Sequence, residues 1–205
     1  MIFSSIGVSR HRLGSDGVGV TTLVGGFGCP LDCKYCLNPQ CKRPGVKAEY
    51  SISELYGIAV VDDLYFEATG GGVTFGGGEP LLQAEFIREF IEYARSEGKN
   101  WRFSLETCLA VDEEKLLILD GLIDEYIVDV KDMNGVIYSS YTGAEPRLMR
   151  RNLIHLAECS DKVRIKLPLI PDFNLAEDVL RSETELRCMG FERFERLRYI
   201  KEVNK

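Results

Sequence analysis

The stretch Val20-Thr21-Thr22-Leu23-Val24-Gly25-Gly26 decides the fold of this chain, because it is a run of β-branched residues that ends in two glycines. Such a run is typical of a strand, and glycine is typical of its exit. Similar runs follow along the chain at residues 70–75, 101–105, 126–130, 163–167 and 196–200. The sequence therefore predicts about six strands, the first of which begins at Val20.

Helix-like stretches separate these strands. Ser51 and Glu54 have the spacing of a capping box, which predicts a helix from there to about Ala68. Helical patterns also cover residues 82–94, 112–119, 146–158 and 175–189. Alternating strands and helices imply right-handed βα units and a parallel sheet. A complete (β/α)₈ barrel needs about 250 residues. The 205 residues present therefore predict an α/β fold, an open and incomplete (β/α)₆ TIM-like barrel with outer helices, in one domain over residues 1–205.

Composition argues against several classes of protein. The formal charge of −7 is unlike the basic excess of a general nucleic-acid binder. No run approaches the ~20 apolar residues of a membrane span. Residues 1–5 lack the features of a signal peptide. We therefore expect a cytoplasmic protein with neither a nucleic-acid partner nor a membrane partner.

Three cysteines crowd into the loop of residues 28–41, where Cys29, Cys33 and Cys36 have the spacing C-x₃-C-x₂-C. Thiolates at short spacing select an iron–sulfur cluster or zinc. Structural zinc sites and electron-transfer clusters usually take four protein ligands, but three ligands leave one iron open to a substrate. If the site is a cluster that binds a substrate at its open iron, a fourth thiolate from Cys41 would occupy that iron, and Cys41 is then expected not to be a ligand. No role is assigned to the remaining cysteines, Cys108, Cys159 and Cys188.

A glycine-rich motif ends the second predicted strand, in the order Gly76-Gly77-Gly78-Glu79-Pro80. Glycines at a strand end allow a ligand to approach the backbone and leave backbone groups that can bind it. On this view a Cβ atom at Gly77 or Gly78 would intrude on the ligand. Replacing Gly78 by valine is then expected to weaken ligand binding and to leave the iron content intact.

Charged residues end the next two strands. Glu106 and Thr107 close the third, and Asp129 and Lys131 point to one side of the fourth because a single residue separates them. Ionised groups inside a barrel are costly unless they are paired. An ion pair that structures the interior and a contact with a ligand both remain open for Asp129 and Lys131.

The cysteine loop resembles that of the radical S-adenosylmethionine (SAM) superfamily, in which an aromatic residue, here Tyr35, precedes the last cysteine. Gly77-Gly78-Glu79-Pro80 matches the GGEP motif of that superfamily. Within it, the chain is similar to glycyl-radical-enzyme activating enzymes of the pyruvate formate-lyase activase type, in a short form without a ferredoxin-like insert. That similarity rests on Asp16-Gly17-Val18-Gly19, residues 68–79, Asp129-Val130-Lys131, Tyr141-Thr142-Gly143 and residues 167–171.

The resemblance implies cofactors and site residues. Cys29, Cys33 and Cys36 would bind a [4Fe–4S] cluster whose open iron chelates SAM. The residues implied to contact SAM are Tyr35, Gly77, Gly78, Glu79, Glu106, Thr107, Asp129, Lys131 and Lys166. Lys131 or a bound monovalent cation would offset the repulsion between the SAM carboxylate and the side chains of Glu106 and Asp129.

The resemblance also implies a reaction. An electron from a reductant such as flavodoxin or ferredoxin cleaves SAM to a 5′-deoxyadenosyl radical under anaerobic conditions. That radical removes a hydrogen atom from a glycine of a partner glycyl radical enzyme. Two alternatives stay open, namely a radical SAM enzyme that modifies a small molecule or a ribosomal peptide, and a non-catalytic iron–sulfur or zinc module.

Overall fold

The computed structural model describes residues 1–199, and its eight strands have the sheet order β3-β1-β2-β4-β5-β6-β7-β8. The strands are β1 (Ile2–Leu13), β2 (Val20–Gly26), β3 (Ala48–Ser51), β4 (Gly72–Gly77), β5 (Arg102–Thr107), β6 (Glu125–Asp129), β7 (Val163–Leu169) and β8 (Arg193–Arg198). The α-helices are α1 (Ile52–Ala59), α2 (Asp63–Thr69), α3 (Ala84–Ser96), α4 (Glu113–Leu117), α5 (Gly135–Thr142), α6 (Arg147–Leu156) and α7 (Ala176–Cys188). None of the helices among residues 1–199 is long and apolar enough to cross a membrane.

The chain divides into two compact units, and the first comprises Met1–Cys29, Asn38–Thr107 and Val111–Ile127. In it β2, β4 and β5 pair in parallel, as predicted. The register sets Gly26 of β2 beside Gly77 of β4, so the exit of the first predicted strand adjoins the glycine motif.

An aromatic core fills this first unit. Phe3 of β1, Phe75 of β4, Phe90 of α3 and Phe103 of β5 are fully buried. The ring centroids of Phe75 and Phe90 lie 5.6 Å apart with nearly perpendicular planes, the edge-to-face arrangement that aromatic pairs favour. The apolar face predicted for residues 82–94 is confirmed, except that Leu82 precedes α3 and is 41% exposed.

Asp62 ties the β1–β2 hairpin to the start of α2 in this unit. Its fully buried carboxylate accepts hydrogen bonds from Arg10 Nε at 2.9 Å and Thr22 Oγ1 at 2.7 Å, and it lies 2.9 Å from His11 Nε2. The hydrogen bond from Arg10 lowers the pKa of Asp62 below its ordinary value of 3.8 and outweighs the opposing effect of burial. The ionised carboxylate therefore stabilises the fold above pH 3.8, and this contribution is lost as the pH falls through the lower folded-state pKa.

Replacing Asp62 by asparagine is expected to lower the free energy of unfolding by about 2 kcal/mol at pH 7, because bonds to a charged acceptor are lost. Urea denaturation at several pH values measures this. The difference from the wild type should shrink below pH 3.8. The exposed Glu192→Gln serves as control, and an Asp62→Asn protein as stable as this control would contradict the role of Asp62.

The second unit comprises Pro30–Leu37, Cys108–Ala110 and the chain from Val128 onward. In it β7 and β8 pair in parallel, again as predicted, and Lys166 of β7 lies beside Glu195 of β8. Asp132 is almost fully buried and accepts hydrogen bonds from Asn134 N at 2.8 Å and from Asn174 Nδ2 at 3.1 Å. The bond from Asn174 connects the loop after β6 to the loop after β7.

Several predicted elements need correction. The sequence missed β1 and β3, which pair with antiparallel register, and also the helix α5. The helix predicted from Ser51 to about Ala68 begins with the expected capping box, but a 3₁₀ turn at Val60–Asp62 divides it into α1 and α2. The strand predicted at residues 163–167 continues to Leu169 in β7. The strand predicted at 196–200 begins earlier, at Arg193, and residue 200 lies outside the described residues.

Candidate functional site

In the first unit, the glycine motif fixes the main chain that leads into the cysteine loop. Gly78 N donates to Gly26 O at 3.0 Å, and Glu79 N donates to Gly28 O at 2.7 Å. These two bonds hold the residues just before Cys29, whose side chain is partly exposed. The position of Cys29 therefore depends directly on the conformation of residues 77–79.

The reason for glycine at positions 77 and 78 differs from the one predicted. A Cβ atom on Gly78 would lie 2.2 Å from Gly28 O, and one on Gly77 would lie 2.8 Å from Gly25 Cα. Gly77 also has a φ of +85°, which side-chain-bearing residues rarely adopt. A side chain at either position would first strike the backbone of β2 and of the cysteine loop, so the packing of the main chain by itself requires glycine at both positions.

The backbone groups of this motif are also largely engaged. In addition to the two donors above, Gly77 O accepts a hydrogen bond of 3.1 Å from Asn38 Nδ2. The expectation that the glycines leave these groups available for a ligand is therefore corrected for Gly77 O, Gly78 N and Glu79 N. Their role is to hold the loop that carries Cys29.

Glu79 and Thr107 form one buried pair. The carboxylate of Glu79 is fully buried and accepts hydrogen bonds from Thr107 Oγ1 at 2.7 Å and from Leu81 N at 3.1 Å. Because side chains alternate along β5, Glu106 points to the opposite face from Thr107 and lies beside Gly76, where a Cβ atom would be 3.2 Å from Glu106 Oε2. The structure thus brings Thr107 to Glu79 and places Glu106 on the other face.

In the second unit, the C-terminus of α5 holds the middle of the cysteine loop. Asp32 N donates to Thr142 O at 2.7 Å, and Lys34 N donates to Tyr141 O at 3.1 Å. The two donors flank Cys33, which is partly exposed, while Cys36 is exposed. The Tyr141-Thr142-Gly143 element therefore serves as the anchor of the segment that carries these two cysteines.

Tyr35 of the same segment packs in a cluster of three aromatic rings. Its ring centroid lies 6.2 Å from that of Tyr141 and 5.7 Å from that of Phe173, and the latter two are 5.1 Å apart. Its hydroxyl donates to Asp172 Oδ2 at 2.9 Å. These contacts join the cysteine loop to the loop after β7.

Asp129 and Lys131 form an ion pair, which is one of the two roles left open by the sequence. Lys131 is 9% exposed and its Nζ also donates to Tyr199 Oη at 3.0 Å. Burial lowers the pKa of Lys131, but the negative charge of Asp129, with Tyr199 and Cys33, outweighs burial and raises the pKa well above its ordinary value. Burial and Asp129 raise the pKa of Tyr199 to about 12. Lys131 therefore carries its charge at physiological pH.

One oxygen of this group has no hydrogen-bond partner within residues 1–199. Asp129 Oδ1 is buried and accepts no hydrogen bond from any residue among 1–199. A buried acceptor of this kind usually has a partner, and a bound ligand is one way to supply it. Sequence reasoning missed Tyr199, whose only signal was its place at the end of the last predicted strand.

Lys166, the last of the predicted SAM contacts, lies on β7 and is 8% exposed. Its backbone pairs with that of Glu195 on β8, and the carboxylate of Glu195 lies 3.0 Å from Arg164 Nη1. Arg164 and Lys166 of β7 therefore share an acidic neighbour, Glu195 of β8.

The remaining cysteine of the loop, Cys41, is 1% exposed, and its carbonyl accepts a hydrogen bond of 2.8 Å from Gly28 N. Over residues 1–199, no three His, Cys, Asp or Glu side chains are grouped as a site for a single metal ion. A cubane cluster takes one thiolate per iron, so its three cysteine sulfurs do not converge on one ion.

The side chains fit the predicted cofactors in two respects. Three thiols at short spacing, at least partly exposed, are the soft ligands that an iron–sulfur cluster requires. The unpartnered Asp129 Oδ1, next to the charged Lys131, offers an acceptor and a cation to a zwitterionic ligand such as SAM.

Known proteins share both sequence and fold with this chain. A choline trimethylamine-lyase activating enzyme of Oleidesulfovibrio alaskensis is 28% identical over 83% of this chain and 73% of its own length. The pyruvate formate-lyase 2-activating enzyme of Escherichia coli is 29% identical over 87% and 70%, respectively. A pyruvate formate-lyase-activating enzyme of Listeria monocytogenes is 35% identical but matches 58% of this chain and 50% of its own length. The similarity to glycyl-radical-enzyme activating enzymes is thereby confirmed.

The solved structure of SuiB from Streptococcus suis superimposes with a TM-score of 0.64 over 87% of this chain and 39% of SuiB, at 14% sequence identity. This likeness concerns the fold alone and confirms the predicted incomplete barrel of the TIM type. The family model of the radical SAM superfamily matches residues 23–182, which include the cysteine loop, the glycine motif, Asp129 and Lys131. The chain therefore belongs to the radical SAM superfamily.

Proposed function

We propose that this protein is an activating enzyme that cleaves SAM reductively at a [4Fe–4S] cluster and removes a hydrogen atom from a glycine of a partner glycyl radical enzyme. The observation that carries the proposal is the identity of 28–29% to named activating enzymes over more than four fifths of the chain. The cysteine loop and its supports, which lie within the residues 23–182 matched by the radical SAM family model, are consistent with it.

The chain's own residues would act mainly by binding and positioning. Cys29, Cys33 and Cys36 would hold the cluster, and the hydrogen bonds from residues 78 and 79 would keep Cys29 in place. A cluster held there would supply the electron for cleavage of SAM into methionine and the 5′-deoxyadenosyl radical. The protein contributes position, electrostatics and exclusion of water, as in other cofactor-dependent enzymes.

The charged residues would orient SAM. The positive charge of Lys131 would attract the SAM carboxylate, and Asp129 Oδ1 would accept a hydrogen bond from a donor group of SAM. We retain Tyr35, Gly77, Gly78, Glu79, Glu106, Thr107 and Lys166 as proposed neighbours of SAM. A monovalent cation is proposed near Glu106 and Asp129, where it would offset the repulsion between these two carboxylates and the carboxylate of SAM.

We further propose that the enzyme works in the cytoplasm as one catalytic domain and receives its electron from a reduced flavodoxin or ferredoxin. Modification of a small molecule or a peptide is the competing function. The fold likeness to SuiB does not favour it, because an identity of 14% carries no information on the substrate.

Electron paramagnetic resonance (EPR) tests the proposed substrate. The full chain, loaded with iron and sulfide under anaerobic conditions, is reduced and mixed with SAM and candidate glycyl radical enzymes. We expect a doublet signal, because one α-hydrogen remains on the glycyl radical. A partner with that glycine replaced by alanine should show no doublet. If no candidate partner gave the doublet, and a peptide or metabolite were converted instead, the competing function would replace the activating one.

A further inference from the structure

The loop after β7 contacts the cysteine loop through a short segment, residues 170–174, which we call the strap. Both ends of the strap lie in the core of the second unit, since Ile170 is fully buried and Asn174 is 5% exposed. Asp172, in the middle of the strap, is exposed. The strap therefore has a buried base and a tip that points away from the core.

Asn174 fixes the base of the strap through three hydrogen bonds. Its Oδ1 accepts from Ile170 N at 2.6 Å, which closes the strap on itself. Its Nδ2 donates to Pro168 O of β7 and to the buried carboxylate of Asp132, both at 3.1 Å. A buried amide with its oxygen and its nitrogen both bonded is rigid, because breaking any of these bonds would leave a polar group unsatisfied.

The tip of the strap holds Tyr35, the residue before Cys36. The Tyr35 hydroxyl donates to the Asp172 carboxylate at 2.9 Å, and the Tyr35 ring lies 5.7 Å from the ring of Phe173 at an angle of 80°. Phe173 also packs 5.1 Å from Tyr141, whose carbonyl holds the main chain of the cysteine loop. The strap thus contacts both a side chain of the cysteine loop and the residue that anchors that loop.

The backbone of Asp172 is held in an unfavourable conformation. Its φ of +68° lies in the left-handed region, which is uncommon for a residue with a side chain, although aspartate and asparagine tolerate it better than most. Such a conformation persists where the surroundings determine it. Here the fixed base at Asn174 and the bond to Tyr35 supply that constraint.

We propose that Asp172 and Phe173 are positioning residues, which fix Tyr35 and thereby keep the segment with Cys33 and Cys36 in the conformation that retains the cluster. The inference depends on the proposed function for the cluster alone, since the contacts of the strap are made by the protein's own side chains. Tyr35 lies between the two cysteines in the sequence, so a movement of its backbone would displace both thiols. The strap would therefore slow the opening of this segment and the loss of iron from it.

Phe173→Ala tests the strap, and Phe194→Ala is the matched control. Phe194 is also half-buried, but its ring packs 4.5 Å from the guanidinium carbon of Arg187. Amide hydrogen exchange, which reports local opening, is followed by NMR in the full-length proteins before iron and sulfide are added. Because Phe173→Ala loses two aromatic contacts, we expect the Asp32 and Lys34 amides to exchange about tenfold faster than in the wild type. Phe194→Ala should leave both rates unchanged.

The loaded proteins supply a second measurement. After reconstitution of the cluster, iron release to an excess of chelator is expected to be about tenfold faster from Phe173→Ala than from the wild type, because the cysteine segment opens more often. Phe194→Ala should release iron at the wild-type rate.

Two milder variants test the tip of the strap without removing a ring. Tyr35→Phe loses only the bond to Asp172, and we expect exchange at residues 32 and 34 to be about threefold faster. Asp172→Asn keeps an acceptor and a residue type that tolerates the left-handed conformation, so its exchange should stay close to that of the wild type.

Exchange at residues 32 and 34 that is no faster in Phe173→Ala than in Phe194→Ala would overturn the inference. An equal acceleration at the amides of α7 would do so as well, because the effect would then be a general loss of stability. If Phe173→Ala does not fold, unchanged exchange in Tyr35→Phe would overturn it. A wild-type chain that binds no cluster would instead refute the proposed function, while the exchange rates would still decide whether the strap holds the cysteine segment.

Discussion

Replacing Cys29 by alanine is expected to remove the cluster and to abolish SAM cleavage. With three thiolate ligands, each iron but one has a single protein ligand, so the loss of one thiolate leaves a second iron without protein support. Cys41 is not expected to replace Cys29 as a ligand, because it is 1% exposed and belongs to a separate 3₁₀ turn, Pro39–Lys42. Iron content, visible absorption and 5′-deoxyadenosine formation measure the effect.

Cys41→Ala is the matched control in the same loop. Its carbonyl would still accept the hydrogen bond from Gly28 N, because the substitution leaves the main chain unchanged. We expect it to retain both iron and SAM cleavage. If Cys41→Ala lost its iron while Cys29→Ala kept it, the ligand assignment would be wrong.

The second large effect is expected from Gly78→Val. The new Cβ atom would lie 2.2 Å from Gly28 O and 2.7 Å from Gly26 O, and both are backbone atoms that cannot rotate away. Overpacking costs typically 1–3 kcal/mol and occasionally more, and we place this contact at about 3 kcal/mol. The loop before Cys29 must shift to accommodate the valine. We therefore expect iron content and SAM binding to fall together.

Gly45→Ala provides the control for Gly78→Val. A Cβ atom at Gly45 meets no atom within 4 Å, and the residue has no positive φ. Thermal unfolding and iron analysis of both variants distinguish a general cost of replacing glycine from the specific clash. A stable, iron-loaded Gly78→Val protein that had lost only SAM binding would contradict the role of Gly78 in holding the cysteine loop.

The sequence predicted the parallel part of the fold because β2 and β4 are rich in β-branched or glycine residues with clear exits, and because apolar and charged residues alternate at the start of β7. It could not predict β1, in which Phe3 and Ser5 are buried but the second half, from Ser9 on, is mostly polar and exposed. That half is held by antiparallel pairing with β2, which its own residue pattern does not show. The helix α5 was missed because it has little amphipathic pattern, and its Val136 is 80% exposed.

For the site, spacing alone identified the cysteines, the glycine motif and the Asp129–Lys131 pair. Spacing could not show how distant residues support them. Thr107 bonds to Glu79 across 28 positions, and Tyr199 bonds to Lys131 across 68. The function of the Tyr141-Thr142-Gly143 element as an anchor also depends on a contact with residues about 110 positions earlier, which the sequence does not encode locally.

Formation of 5′-deoxyadenosine tests the central claim most directly. The full chain is loaded anaerobically with iron and sulfide, reduced, and incubated with SAM and the candidate glycyl radical enzymes, whose glycine would supply the hydrogen atom, and the nucleoside is quantified by chromatography. We expect 5′-deoxyadenosine and methionine in equal amounts from the wild type, and neither from Cys29→Ala. A wild-type protein that carries its cluster and binds SAM, yet releases no 5′-deoxyadenosine under reducing conditions, would contradict the proposed SAM cleavage.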